Sequence, residues 1–337
     1  MNTGKKTIWQ VFCSIMIILS CCSFICFGEN KEDIEHQIIE GFIKEVVGDR
    51  IGKIIYSGNS VTESSKPIGL VPSDLGISYR KYYVYPKADD NSFYYTVYVA
   101  DGINKVIFFR ITDRTRTRVD IIKEKPSKDK WFTPEEATKS VYPFMKYLGI
   151  DKSPELTPPM IQEVHNIVED LLMFKRDGLW QGILCYGRGV SAHVSLSNRR
   201  VEFFKYSPVM PPKNRKPEGD CPVEKVKKIA EEWLKSQKNL DLCKDCSPYI
   251  NEFEKIKLLI APGVNMFSLP DEKKWIDENF FYVWSVPFIY WEMYDMMDIE
   301  TLQVVKEQSK GSVWVEVESL RVIGATSESE GWKEVKE

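Results

Sequence analysis

The chain has 337 residues, 43% hydrophobic and 28% charged, with 46 Lys and Arg against 49 Asp and Glu and a formal net charge of −3. That length sets an expectation of two to three domains, and that composition an ordinary globular body. Together they exclude wholesale disorder, collagen-like repeats and a multispan membrane protein, and the mild acidity lacks the electrostatic footprint of a nucleic-acid binder.

Residues 1–7 carry Lys5 and Lys6, residues 8–27 are uncharged, and Glu29, Lys31, Glu32 and Asp33 follow at once. A positive start, an apolar run and a polar exit form a secretory signal, and the run is also long enough to span a bilayer. Three outcomes fit residues 1–28. Cleavage after Gly28 leaves Cys26 and Gly28 as the small residues before the cut. Ile18-Leu19-Ser20-Cys21 resembles a bacterial lipobox, with Cys21 the lipidation candidate. An uncleaved anchor is the third. All three place the remainder outside the cytoplasm, secreted or membrane-anchored, with membrane contact only through the N-terminus.

Helix signals then recur. Residues 33–47 place Ile34, Ile38, Phe42 and Val46 on one stripe, with Gly48 after it. Thr133-Pro134-Glu135-Glu136 combines an N-cap, a proline at the first helical position and a capping-box glutamate. Ala137, Val141, Phe144, Met145 and Leu148 repeat behind it, and Gly149 is the stop. Cys221-Pro222-Val223-Glu224 repeats that start with Cys in the cap position, before Val226, Ile229, Ala230, Trp233 and Leu234.

Strand signals follow each helix. Residues 93–99 alternate, Asp101-Gly102 turns, and 105–111 returns. Residues 190–196 alternate, Ser197-Asn198 turns, and 199–206 returns. Residues 312–317 alternate, Glu318-Ser319 turns, and 321–326 returns. Residues 179–186, entered by Asp177-Gly178, form another candidate strand. Residues 194–201 align with 315–322 without a gap, and Val97-Tyr98-Val99 with Lys105-Val106 is a looser third copy.

On these residues the chain resembles the PepSY family, the small modules of peptidase propeptides and related secreted proteins. Thr133 to Ala137 fits that family's helix opening, and Val194 to Val201 and Val315 to Val322 fit its closing hairpin. Ser197 and Glu318 stand where the family has Asp, and Arg200 and Arg321 where it has Gly. The resemblance covers about 130–328. It implies a helix packed on an antiparallel sheet and an extracytoplasmic binding or inhibitory role, often towards peptidases or the cell envelope, with no catalytic residues carried over.

The expected fold is therefore α+β, in repeated modules of one helix on an antiparallel β-sheet. The expected organisation is module 1 over 31–125, module 2 over 130–207, a proline-rich linker over 208–220, module 3 over 221–328 and a polar tail over 329–337. A second spacer is the lysine-rich stretch 123–130.

Local chemistry is sparse. Cys243-Lys244-Asp245-Cys246 pairs two thiols, which can form a disulfide, clip a metal or do redox work. The pair follows a helix and precedes Ser247-Pro248, so a thioredoxin-type strand-to-helix setting is missing. Zinc lacks a second ligand pair. Cys185, Cys221, Cys243 and Cys246 are accordingly expected to be structural disulfides or free thiols. Gly187-Arg188-Gly189-Val190-Ser191-Ala192 matches a dinucleotide string, but the alternation after it marks a strand, and the expectation is a hairpin turn. His193 is expected on the strand face opposite the apolar one. Arg114, Arg116 and Arg118 can line one strand face. Glu292, Asp295, Asp298 and Glu300 read as an exposed turn. The aromatic run 275–294 offers Tyr282, Trp284, Tyr290 and Trp291 as candidates for a ligand groove, against burial in the last module.

The expected function is a non-catalytic binding or inhibitory protein whose partner is an envelope protein, a peptidase being the implied case. An envelope polysaccharide or other polymer is the first alternative and a thiol oxidoreductase using Cys243 and Cys246 the second. No cofactor, metal or nucleic acid is expected. Intact-mass measurement of the native protein should show loss of residues 1–28 or a diacylglyceryl group on Cys21; a cytosolic protein retaining residues 1–28 would end the export reading.

Overall fold

The computed structural model describes residues 31–59, 78–114, 127–165, 170–237, 241–242, 256–264, 275–297, 302–328 and 333–335. The leader 1–28 with Cys21, and the Cys243–Cys246 pair, lie outside the described residues. No helix among them is long and apolar enough to cross a membrane.

Three amphipathic segments become helices. The first, α1 (Lys31–Phe42), continues as a π-helical turn over Ile43–Val47 and ends at left-handed Gly48. Its Glu35 is buried, accepting hydrogen bonds from the Tyr82 hydroxyl and from Arg80 Nη1 at 3.3 Å. The second, α2 (Pro134–Leu148), has the expected capping box. Thr133 Oγ1 accepts from the Glu136 N–H at 3.2 Å, and the Thr133 N–H donates to Glu136 Oε2 at 2.9 Å. The third, α3 (Val223–Ser236), begins two residues later than the expected cap. Pro222 takes the cap position without a side-chain bond, and Cys221 packs instead against the core beneath α3.

After α1 come β1 (Lys53–Asn59), β2 (Tyr79–Tyr85), β3 (Phe93–Ala100) and β4 (Lys105–Asp113). After α2 come β5 (Met160–His165), β6 (Asp170–Trp180), β7 (Ile183–Ser195) and β8 (Arg200–Ser207). After α3 come the two-residue β9 (Asp241–Leu242), then β10 (Lys257–Val264), β11 (Trp275–Met297), β12 (Leu302–Glu316), β13 (Val322–Glu328) and the short β14 (Lys333–Glu334). The result is the expected α+β architecture, three helices on a mostly antiparallel sheet. All strands join one sheet whose main path runs β1-β2-β3-β4-β8-β7-β10-β11-β12-β13.

The repeat is geometric. The hairpins β3–β4, β7–β8 and β12–β13 share one construction. Val99 pairs with Val106, Val194 with Val201, and Val315 with Val322. Beside each pair the register slips by one residue, leaving Ile107, Glu202 and Ile323 as the bulged positions. Each turn ends on a non-glycine residue in the left-handed region, Asn104, Arg199 or Leu320, with φ between 51 and 53°. The turns expected at 101–102, 197–198 and 318–319 fall inside these loops.

The hairpin turn expected at Gly187–Gly189 is a correction. The chain reverses at Gln181-Gly182, both left-handed at φ 51 and 79°, which matches the twist of the flanking strands. Asp177-Gly178 then lies within β6, and Gly187–Gly189 lies within β7 at a bulge, where pairing jumps from Asp177↔Gly189 to Gly178↔Cys185. A Cβ on Gly189 would sit 2.1 Å from the Arg176 carbonyl oxygen, so glycine is there for close backbone approach. The acidic run expected as a turn is also revised: Glu292 and Asp295 are strand positions of β11.

Packing joins the first two units. Phe42 of α1 meets Phe144 of α2 at 5.7 Å between centroids, and both meet Phe109 of β4, at 5.8 and 5.7 Å. Phe144 also reaches Phe204 of β8 at 5.0 Å. One core therefore runs beneath α1 and α2, while α3 covers its own cluster of Trp284, Val286, Phe288, Val313 and Val315.

The proline-rich segment 208–220 is fastened along its middle. Lys213 N–H donates to the Phe280 carbonyl at 2.7 Å, and Arg215 N–H to Glu318 Oε1 at 3.0 Å. Asn214 pairs with Tyr282 as a strand would: its Oδ1 accepts from the Tyr282 N–H at 2.7 Å, and its Nδ2 donates to the Tyr282 carbonyl at 3.1 Å. Asn214 also donates to Glu316, whose carboxylate accepts from the Glu318 and Ser319 amides at 3.1 and 2.5 Å.

Burial pushes the Glu316 carboxyl up, but the hydrogen bonds from Ser319, Glu318 and Asn214 together outweigh it and hold the group below the ordinary value of 4.5. A depressed carboxyl stabilises the fold above its unfolded value, and the contribution disappears as pH falls through the folded value. Glu316→Gln should therefore cost about 1–2 kcal/mol at pH 7. The gap to wild type should close as the pH drops below 4.5, read by denaturant titration at both pH values.

Candidate binding surface

Both α1 and α2 lie on one side of the first eight strands, so cross-strand register shows what the other side carries. In β2, Tyr79, Lys81, Tyr83 and Tyr85 alternate onto it; Tyr79 pairs with Ala100, Lys81 with Tyr98 and Tyr83 with Thr96. Thr96 in turn faces Arg110 of β4, and Lys53 of β1 faces Tyr85.

These residues form a patch of tyrosines and cations. Lys53 Nζ lies 5.9 Å from the Tyr85 ring centroid, Lys81 Nζ 5.0 Å from Tyr83, and Arg114 Cζ 5.2 Å from Tyr94. Tyr94 meets Tyr83 at 5.3 Å and Tyr85 at 5.5 Å, and Arg114 Nη2 donates to the Tyr94 hydroxyl at 3.1 Å. Lys53, Arg110 and Arg114 are exposed; Lys81, Tyr83 and Tyr85 are half-buried. The hydrogen bond from Lys81 is the main cause holding the Tyr83 hydroxyl below its ordinary value, against burial, with help from Ser57 and the charges of Lys81 and Arg114.

A continuous aromatic row stiffens the patch from beside it. Tyr79 stacks on Tyr98 at 4.8 Å and Tyr98 on Phe108 at 4.3 Å. Phe108 meets Phe203 edge-on at 5.4 Å, and Phe203 meets His193 at 4.8 Å. The row crosses β2, β3, β4, β8 and β7, spanning both units. His193 lies on this helix-free face, as its alternation predicts; burial first, and then the Arg110 charge, lower its pKa.

A second group of charged side chains is engaged within the chain. A cleft of about 310 Å³ opens between the end of α1 and the β7–β8 turn, lined by Asp49, Tyr95, Arg199 and Arg200 among others. Tyr95 donates to Asp49, Arg199 pairs with Glu136 at 3.8 Å, and Arg200 pairs with Glu202 at 3.5 Å. Among the described residues no three His, Cys, Asp or Glu side chains gather closely enough to hold a metal ion.

Three of the four expected groove residues lie in the core. Tyr282, Trp284 and Tyr290 are 4, 8 and 5% exposed. Trp284 and Tyr290 lie beneath α3, and Tyr282 packs with Cys185, Ile260 and Phe280. Such side chains offer no open platform, because β11 is an inner strand covered on that side. Trp291 is a β11 position opposite Gln308, and its side chain lies outside the described residues. Pro287 falls between Ser285, the last residue paired to β10, and Tyr290, paired to β9.

Cys185 and Cys221 are free thiols in separate clusters, Cys185 at the junction of β7 with β10 and Cys221 beside α3. Of the arginine stripe, Arg114 joins the patch, while Arg116 and Arg118 lie outside the described residues. The patch matches no sequence motif of known chemistry, although Tyr79-Arg80-Lys81-Tyr82-Tyr83-Val84-Tyr85 already carries its alternation.

No family model matches the chain, and no curated protein matches it. Among solved structures, the Bacillus megaterium YpeB C-terminal domain is similar at 12% identity and a TM-score of 0.41, over 90% of this chain and 99% of that one.

Burial pushes the Cys185 thiol up to about 11, and it also raises Cys221. At pH 8 a thiol with that value is only about 0.1% thiolate, the form that alkylates. Iodoacetamide should leave Cys185 unmodified in the native protein and label it fully in denaturant, as read by peptide mass mapping. Labelling of Cys185 in the native state would contradict its burial.

Proposed function

We propose that the chain is an extracytoplasmic, non-catalytic binding protein that grips or restrains another envelope protein, a peptidase being the partner class that the family resemblance implies. The uncharged run after Lys5 and Lys6 supports the location. Three helix-on-sheet units in one sheet support a scaffold role, since a sheet backed by helices on one side holds the other side in a fixed shape.

The observation that carries the reading is the tyrosine–cation patch on the helix-free face. Tyrosine and arginine are enriched at protein interfaces because they combine large contact area with directed polar groups. Here Lys53, Lys81, Arg110 and Arg114 surround the half-buried Tyr83 and Tyr85, with the buried Tyr94 packed beneath them, which suits a partner surface mixing carboxylates with apolar side chains. Such a contact acts sterically, by occupying the partner's surface.

A cross-linking pull-down from the native envelope, run beside a glycan-binding assay, tests the reading. The wild-type chain should capture a protein and no glycan. The Lys81→Glu/Arg114→Glu variant should lose at least tenfold of that capture while its melting temperature stays within a few degrees. Undiminished capture by the variant would remove the patch from the account, and glycan binding without protein capture would favour an envelope polymer.

A further inference from the structure

The C-terminal segment lies on the outer edge of β5. In β14, Lys333 pairs with Ile161 and Glu334 with Met160, antiparallel, and the Val335 N–H donates to the Pro159 carbonyl at 2.8 Å. On its other side β5 pairs with β6 along its whole length, from Met160↔Lys175 to His165↔Asp170. So β5 is a branch of the sheet whose outer edge is met, among the described residues, by the chain's own last strand.

Two features make this occupancy exchangeable. The added strand is held mainly through its backbone, since Lys333 and Glu334 are both exposed and Val335 alone is half-buried. Its ladder also stops early, because Pro159 has no N–H with which to answer the bond from Val335. The acceptor offers more than the resident uses. Ile161 packs partly into the core beneath α1 and α2, and Met160 is half-buried on the opposite face. An open strand edge is a template for any extended segment, and side chains on either face select which one.

We propose that the β5 edge is a strand-acceptor site for an extended segment of a partner protein, with residues 333–335 as its resident occupant. The partner strand runs antiparallel to β5, presents an N–H to the Pro159 carbonyl and sets apolar side chains against Met160 and Ile161. The tail competes through its tether, which gives a weak segment a high local concentration. A partner with better side-chain contacts displaces it. The proposal rests on the binding reading for its biological use, while the acceptor edge itself is measurable without the partner.

The test uses the full chain with Val335→Pro, which removes the donor facing Pro159, and a fluorescent synthetic peptide of residues 329–337 as probe. The variant should bind the peptide at least tenfold more tightly than wild type, whose own tail competes. The same peptide carrying Val335→Pro should not bind. Amide exchange along β5 should quicken in the variant and slow again with peptide. A chain ending at Glu328 should behave like the variant, which guards against a local folding defect. Equal peptide binding by wild type and variant, or none by either, overturns the proposal. If the peptide exchanges but the envelope pull-down fails, the acceptor edge stands and only the binding reading falls.

Discussion

Three cross-strand pairs, Phe108↔Lys205, Phe109↔Phe204 and Arg110↔Phe203, join β4 to β8 and so hold the first two units together. Because neighbours in a pair point to the same face, this short ladder fixes both sides of the sheet at once. On one side it brings Phe109 and Phe204 under α1 and α2, where Phe42 and Phe144 close over them. On the other it sets Phe108 beside Phe203 and carries the aromatic row across the seam. Slipping this ladder by one residue would turn Phe109 away from the core and Phe108 into it.

The second seam is built differently. The tip of β7 lies parallel to β10 through Cys185 and Ile260. Tyr186 crosses to Trp314 at 4.5 Å, and its hydroxyl meets Thr326 Oγ1 at 2.6 Å. The fastened segment around Asn214 then reinforces that joint from the β11 side. The third unit thus keeps its own helix-covered core while sharing an interface with the second, whereas the first two share a core outright.

Local signals in the chain were strong where structure is local. The Thr133 capping box, the helix periodicities and the three turn regions all depend on residues within a few positions of one another. The hairpin repeat is visible for the same reason: a valine pair recurs at one spacing beside the turn and bulge of each hairpin. Long-range pairing left weaker marks. Nothing near Gly189 announces that the Arg176 carbonyl will approach it, so its glycines looked like a turn. The run from Phe280 to Tyr290 looks the same whether its rings line a groove or a core, because only the arrival of α3 and the β7 tip decides. The patch is legible in Tyr79-x-Lys81-x-Tyr83-x-Tyr85 once that face is known to lack a helix, a fact that belongs to the topology.

The β4–β8 seam also has a timing. A polypeptide appears from its N-terminus, and β4, at residues 105–113, is made almost a hundred residues before its partner at 200–207. During that interval the first unit holds a complete meander but an unanswered edge, with Phe108 and Phe109 on it. Aromatic strand edges of this kind pair readily with other chains. The first unit therefore passes through a sticky adolescence that ends only when β8 arrives. A chain cut between the two strands should aggregate where the longer one stays soluble, because its most adhesive edge would never be closed.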